Sequence, residues 1–532
     1  MNEPDLLLLL LAPLVLSLPI YLTGKKMGPE NAKWGTVAII SLSTLYTLIL
    51  WLRRFINLDP SEFSDGFLYH FKADWVPSIG MVFSVGVDGL SMPLLLLTQF
   101  VFLISVISSF YIKEQEPTYY AMILVLLSGV IGTFIALDMF LFYIAWELVL
   151  VPMFFIIHIW GGENRKYAAI KFFIYTHLAS LVMLIGLFII YLNGYTIVDG
   201  IKSYTFYLPD IQNNLAINFA AGNIELSTLT TIFWLVFIGF VTKFPQVPVH
   251  TWLPDAHVQA PSPGSAILAG LLLKMGGYGL IRIPFWLFAD IEVQTLDRGV
   301  VSYFETLNGQ TVRIIIAIIG MISMVYPAFI ALRQDDLKRM IAYSSISHMG
   351  IVLLGLAAYN TWGLNGAMYM MIAHGVISPG LFLLTGIIEH NTTNHTRLIS
   401  QVGGLGHKMP FATGLFVLLG FGSAGLPGMA GFVAEFTTFV ALFTSDLIGY
   451  GTGWVWIPVI SVMSIIITAG YYLWAIQRVL FNKQTEELTN TTPAQWWEIY
   501  PVLALAFFSI LLGLVPGIFW TVLDFFTESI LP

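Results

Sequence analysis

Apolar residues run in blocks about as long as a bilayer is thick, and short polar stretches separate them along the whole chain. About twenty apolar residues in a helix cross the ~30 Å hydrocarbon core. Such blocks lie at 5–22, 34–52, 88–111, 119–137, 139–160, 168–192, 229–257, 263–287, 311–332, 341–358, 363–388, 411–446, 453–480 and 498–518, fourteen in all. The pattern predicts an all-α integral membrane protein. The first block, in MNEPDLLLLLLAPLVLSLPIYL, has no basic start and carries Glu3 and Asp5, so it reads as a first span and not a secretion signal. Two connections are long. Residues 53–86 are polar and aromatic, and residues 193–227, with Pro209 and several Asn, are expected to hold a surface turn or hairpin.

Two blocks are interrupted. Pro245 and Pro248 follow Lys243 in the seventh, and Gly425-Leu426-Pro427-Gly428 precedes Glu435 in the twelfth. Proline removes a backbone donor and clashes with the preceding turn, so both helices should unwind locally. Bare backbone at membrane depth survives only inside protein or beside a wet cavity. The breaks are five spans apart, which predicts two five-helix units related by an inverted repeat: 119–287 (helices 4–8) and 311–480 (helices 9–13). Residues 1–118 supply helices 1–3, and 498–532 helix 14.

Four charges stand out at membrane depth in these blocks: Glu147, Lys243, Lys274 and Glu435. Each costs roughly 2.5–3.5 kcal/mol at a helix centre on the insertion scale, so a chain that keeps them has a use for them. Alternating bases and acids suit a proton path. Burial penalises an isolated charge, so Glu147 and Lys243 placed together keep each other charged, and pulled apart the lysine releases its proton. The competing reading is a static buried ion pair that fixes packing. Lys274 lies mid-helix among Gly270, Gly276, Gly277 and Gly279, which admit close helix approach or water. Snorkelling to the surface is its alternative. His348 and His374 lie inside spans and suit relay; a neutral ring bonded across helices is the plainer reading. His250 and His257 flank Asp255 in HTWLPDAH, a spacing that suits a hydrogen-bonded helix end or hydrated path and not a metal site. His158, His390, His395 and His407, near span ends or in loops, are expected to be solvated. Asp88 reads as a helix cap. Asp138 either assists Glu147 or lies at the interface.

Composition narrows the function. With 57% hydrophobic and 10% charged residues, a net charge of −8 and no basic cluster, nucleic acid is excluded as a partner. The absence of cysteine excludes disulfides, thiolate-bound iron–sulfur clusters and Cys-based zinc in this chain. No phosphate loop, dinucleotide fingerprint or nucleophile elbow is present. Cationic residues divide fourteen to five between alternate faces. The richer face, with Lys25, Lys113, Arg165, Arg333, Lys338, Arg339 and Arg397, is therefore cytoplasmic and both termini lie opposite.

The motifs GVDGLSMPL at 86–94, WELVLVPMFF at 146–155, KFPQVPVHTWLPDAHVQAPSPGSAILAGLLLKMGGYGLIR at 243–282, MIAYSSISHMG at 340–350, AHGVISPGLFLLTG at 373–386 and GLPGMAGFVAEF at 425–436 carry a resemblance. The chain resembles the antiporter-like membrane subunits of proton-pumping complex I over about spans 3–13. Within them it is most similar to the chain 4, M-type, group, because Glu435 stands where sibling subunits usually carry lysine. The resemblance implies Glu147 and Lys243 as an interacting pair, Lys274 as central relay and Glu435 as terminal site, with His250, His348 and His374 as further relay groups. It implies a translocase subunit of an NAD(P)H:quinone oxidoreductase-type complex in an energy-coupling membrane, either the cell's inner or plasma membrane or an organelle equivalent. This chain would hold no cofactor; flavin, iron–sulfur clusters and quinone would belong to partner subunits. Its partners would be sibling membrane-arm subunits, a peripheral redox arm and the lipid bilayer. The alternative is a subunit of a multisubunit sodium/proton antiporter or a membrane-bound hydrogenase.

Overall fold

The computed structural model describes residues 3–56, 66–295, 299–483, 488 and 491–531. Among these, 13 helices are long and apolar enough to cross a membrane. They match the expected blocks one for one except the twelfth, which is two shorter helices, Pro410–Ser423 and Ala430–Thr444, on either side of the anticipated break. The chain is thus a multi-pass integral membrane protein. A further apolar helix, Gly517–Thr527, follows span 14 (Trp496–Leu514).

Span 7 is also divided, into Leu226–Lys243 and Trp252–Gln259. The backbone freed by its prolines finds partners. The Trp252 indole donates to the Thr242 carbonyl at 2.7 Å, and the Val247 amide donates to Ser323 Oγ at 2.9 Å. In the twelfth span Gly425 and Gly428 adopt φ of +75° and +91°, values that L side chains rarely adopt.

The connections hold more structure than their composition suggests. The connection before span 3 contains an antiparallel pair, Leu68–Val76 with Met81–Val87. Residues 193–227 contain the expected hairpin, Thr196–Val198 with Ile201–Ser203, and an unforeseen helix, Leu208–Ala220, that buries Leu208, Ile211 and Leu215. A third pair joins Glu292–Thr295 to Gly299–Ser302.

Burial sorts the bundle. Span 8 (Ser262–Phe285) is buried throughout, span 11 (Thr361–Asn391) along all but its ends and span 10 (Leu337–Ala358) nearly so, whereas little of spans 1 and 2 (Asp5–Met27, Pro29–Arg54) is buried. Small residues let the central helices meet closely. A Cβ at Gly270 would lie 2.8 Å from Pro379, and one at Gly276 2.5 Å from the Phe244 side chain. Lys274, His348 and His374 therefore sit on the three helices farthest from lipid.

Candidate functional site

Span 8 is not a uniform α-helix. It passes through π turns at Leu268–Leu272 and Ile281–Phe285. Such turns loosen the i→i−4 ladder and occur often at functional sites. Lys274 follows the first. Its ammonium donates to the Ala269 carbonyl at 2.5 Å and lies 2.7 Å from His374 Nδ1 of span 11. One proton is shared in the second contact, whichever atom donates it. Lys274 is fully buried, with no carboxylate bonded to it. Among the described residues His374 Nε2 has no hydrogen-bond partner.

The line continues sideways. The rings of His374 and His348 lie 5.5 Å apart. His348 Nδ1 faces the Ser344 carbonyl at 2.7 Å, and Nε2 faces the Ser423 carbonyl at 2.9 Å and Glu435 Oε1 at 3.8 Å. Carbonyl oxygens only accept, so each nitrogen of His348 faces an acceptor and a ring proton can sit on either side, with Glu435 beside Nε2. The break in span 12 builds this end of the line. It exposes the Ser423 carbonyl, and Gly425 leaves room for Glu435: a Cβ there would stand 2.3 Å from Oε2. Glu435 also lines a mostly apolar cleft between spans 12 and 13 with Phe432, Phe439 and Val462.

The structure thus joins four of the expected residues, Lys274–His374–His348–Glu435, and leaves the others apart. Glu147 and Lys243, expected to interact, form no ion pair. Lys243 is buried, donates to the Trp146 carbonyl at 3.0 Å and lies 3.8 Å over the Trp146 ring. The Glu147 carboxylate turns instead to His177 Nδ1 at 3.0 Å, on a half-exposed face. His177 is the residue that sequence reasoning missed. It lies within a long apolar run of span 6 (Arg165–Asn193), thirty positions from Glu147, so spacing gave no sign of the contact. No hydrogen bond joins Lys243 to Lys274; Phe240 and Phe244 fill the space against Gly276 and Gly279. His250 packs edge-on against Tyr326 at 5.9 Å, outside the line.

Other assignments sharpen. Asp138 caps span 5, accepting from the Phe140 and Leu141 amides at 2.8 and 3.0 Å, and also ties down Val82 of the first hairpin at 3.1 Å. It makes no contact with Glu147. Asp88 caps span 3 as expected, accepting from the Ser91 amide at 3.0 Å. Its second oxygen is 2.5 Å from Arg282, buried at the second π turn. Asp255 binds Lys171 at 2.7 Å and Arg339 at 3.0 Å, fastening the second half of span 7 to spans 6 and 10. His390, expected to be solvated, is partly buried against Tyr111, with ring centroids 3.9 Å apart. Among the described residues no group of three or more His, Cys, Asp or Glu side chains could hold a metal ion. The arrangement suits proton movement between buried bases and acids.

The family description "NADH:quinone oxidoreductase/Mrp antiporter, TM" matches residues 136–468. The chain is 38% identical over 520 residues to the F(420)H(2) dehydrogenase subunit M of Methanosarcina mazei, covering 96% of this chain and 94% of that one. It is 35% identical over 520 residues to the NADH-quinone oxidoreductase subunit M of Rickettsia felis, covering 97% and 96%. Among solved structures it superposes on a chain of respiratory complex I from Thermus thermophilus with a TM-score of 0.80 at 24% identity, covering 99% of both chains. It also superposes on a chain of the Mrp complex from Dietzia sp., again at 0.80, with 21% identity, 99% of this chain and 52% of that one. Both superpositions speak to the fold alone.

Proposed function

The chain belongs to the NADH:quinone oxidoreductase/Mrp antiporter transmembrane family, and from that premise we propose that it is the proton-translocating, M-type membrane-arm subunit of a complex I-like oxidoreductase. The observation that carries the reading is the buried line Lys274–His374–His348–Glu435, in which proton-binding groups succeed one another from the bundle centre to a broken helix. The M subunits it is similar to bear the names of complexes with different electron donors, F(420)H(2) and NADH. What they have in common lies in the membrane and not at the donor site. Electron transfer and quinone reduction therefore belong to partner subunits, which carry the flavin and iron–sulfur clusters. This chain contributes no redox step and works beside antiporter-like siblings and a peripheral arm.

Each group has a role in that reading. Lys274 takes up a proton in a site where burial disfavours its charge, and His374 receives it across the 2.7 Å contact. His348 passes it to Glu435 beside the gap in span 12. Glu147 and Lys243 form the switch, and the structure supports its open arrangement: Lys243 rests on a peptide carbonyl and Glu147 on His177. Return of Glu147 to Lys243 would place positive charge near the line's start and bias Lys274 by electrostatics. Spans 4–8 and 9–13 act as two inverted repeats, each contributing one broken helix.

Replacing Lys274 with Ala tests the reading. The complex is expected to assemble and to reduce quinone, while the protons pumped per electron in proteoliposomes fall. Unchanged stoichiometry would remove Lys274 from the path.

A further inference from the structure

We infer that the small pocket where spans 3, 8, 11 and 14 meet on the lysine- and arginine-rich face is the port through which Lys274 takes up its protons, an inference that rests on the proton path proposed above. Ser108 ends span 3, Ser262 opens span 8, His390 lies at the end of span 11 and Glu498 in the first turn of span 14. With Tyr111 these side chains line a pocket of about 10 Å³, room for one water molecule. Ser108 Oγ is buried there without a partner. The Glu498 carboxylate, itself buried, accepts from the Gln495 amide at 2.7 Å and from Asn391 Nδ2 at 3.2 Å. Capping of span 14 accounts for the first of these bonds. It does not account for the convergence, around that carboxylate, of an imidazole and two serine hydroxyls from three other helix ends.

Polar groups lead inward from the pocket. Two residues before Ser262, the Ala260 carbonyl accepts from the buried Lys338 ammonium at 2.5 Å. Ser265 Oγ donates to the His257 carbonyl at 3.0 Å. His257 is fully buried and stacked on Phe382 of span 11, ring centroids 4.3 Å apart, and neither of its ring nitrogens has a hydrogen-bond partner among the described residues. Unpartnered imidazole nitrogens are costly inside a protein, and a hydrated proton route is the setting that completes them. His257 is within electrostatic reach of both Lys338 and Lys274. From Ser262 to Lys274 span 8 rises about 18 Å, at ~1.5 Å per residue. The other approach to Lys274, from Lys243, is filled by the Phe240 and Phe244 side chains packed on span 8 glycines. A proton bound for Lys274 thus needs a port of its own, and this pocket is on its helix.

The test uses the whole complex in sealed inside-out vesicles. In a chain without native cysteine, Ser108→Cys is expected to be labelled by Ag+, a membrane-impermeant, thiol-binding ion small enough to follow water, added from the cytoplasmic face; protection from it overturns the port. Glu498→Gln is expected to lower pumping several-fold at unchanged assembly, and an added weak acid such as azide to restore it by carrying protons past the lesion. Normal pumping by Glu498→Gln, or a loss that weak acid does not restore, reduces Glu498 to a helix cap and overturns the inference. Where Glu498→Gln fails to assemble, His390→Gln is read by the same rescue. Lys274→Ala separates the two ideas. Normal pumping in that variant sinks the proton path even if Ser108→Cys is labelled, whereas lost pumping without weak-acid rescue leaves the path standing and places its defect beyond the port.

Discussion

At the scale of single residues, the structure pairs buried charges in ways that differ in what their loss would do. Arg282 and Asp88 form a closed pair, 2.5 Å apart and both buried, and the guanidinium is ringed by Phe67, Tyr278, Trp286 and Phe526 at 5.1–5.4 Å. Breaking such a pair leaves one uncompensated buried charge. Arg282→Met is therefore expected to cost about 3–5 kcal/mol, seen as a lower melting temperature of the isolated complex, and Asp88→Asn added to it to recover most of that loss. A pair that only braces the fold behaves this way. Glu147 and Lys243 are different because they are apart, with Lys243 on a carbonyl and Glu147 on His177. Glu147→Gln with Lys243→Met removes both charges. An assembled complex with pumping lost or severely reduced is expected; full pumping per electron would leave only a packing role. Glu147, Lys243, Lys274 and Glu435 were legible in the sequence because each interrupts an apolar block away from its ends. The partners were not. His177 and Arg282 lie within apolar runs of spans 6 and 8, far along the chain from Glu147 and Asp88, and only the folded bundle brings them together.

At the scale of elements, the broken twelfth span carries the far end of the line, and glycine decides its shape. Gly425 has φ of +75° and stands against the Glu435 carboxylate. Ala at this position meets both a disfavoured backbone region and the carboxylate itself, so Gly425→Ala is expected to destabilise by more than ~1 kcal/mol. It should also push Glu435 away from His348, so pumping should fall further than quinone reduction does. Equal losses in the two would point to misfolding alone. Proline and glycine announced both breaks, since each acts through its own backbone. The π turns around Lys274 gave no such notice: Leu268–Leu272 contains an ordinary apolar sequence, and its winding is set by the helices packed around it. The helix Leu208–Ala220 was hidden for a related reason. Its Asn residues read as a turn signal, while the side chains it buries are an intermittent stripe of Leu and Ile.

At the scale of the whole molecule, direction matters, because a proton path has work to do only if its two ends face different compartments. The face carrying fourteen of the nineteen assigned cations holds the pocket beside Glu498, Lys338 and Arg397, and the positive-inside rule places that face in the cytoplasm. The same rule assigns the Thr196–Ser203 hairpin and the two ends of the chain to the opposite face. Lys338, the obvious position for a label on the positive face, is buried and bonded to Ala260, so it cannot report sidedness. Glu163, exposed between spans 5 and 6, and Ile201, exposed at 72% in the hairpin, can. In intact cells an impermeant thiol reagent is expected to modify Ile201→Cys and spare Glu163→Cys, and in inside-out vesicles the order should reverse. The opposite pattern would put the pocket on the outer face. Lys274 would then draw its protons from the compartment they are meant to enter, and the line toward Glu435 would have to run the other way.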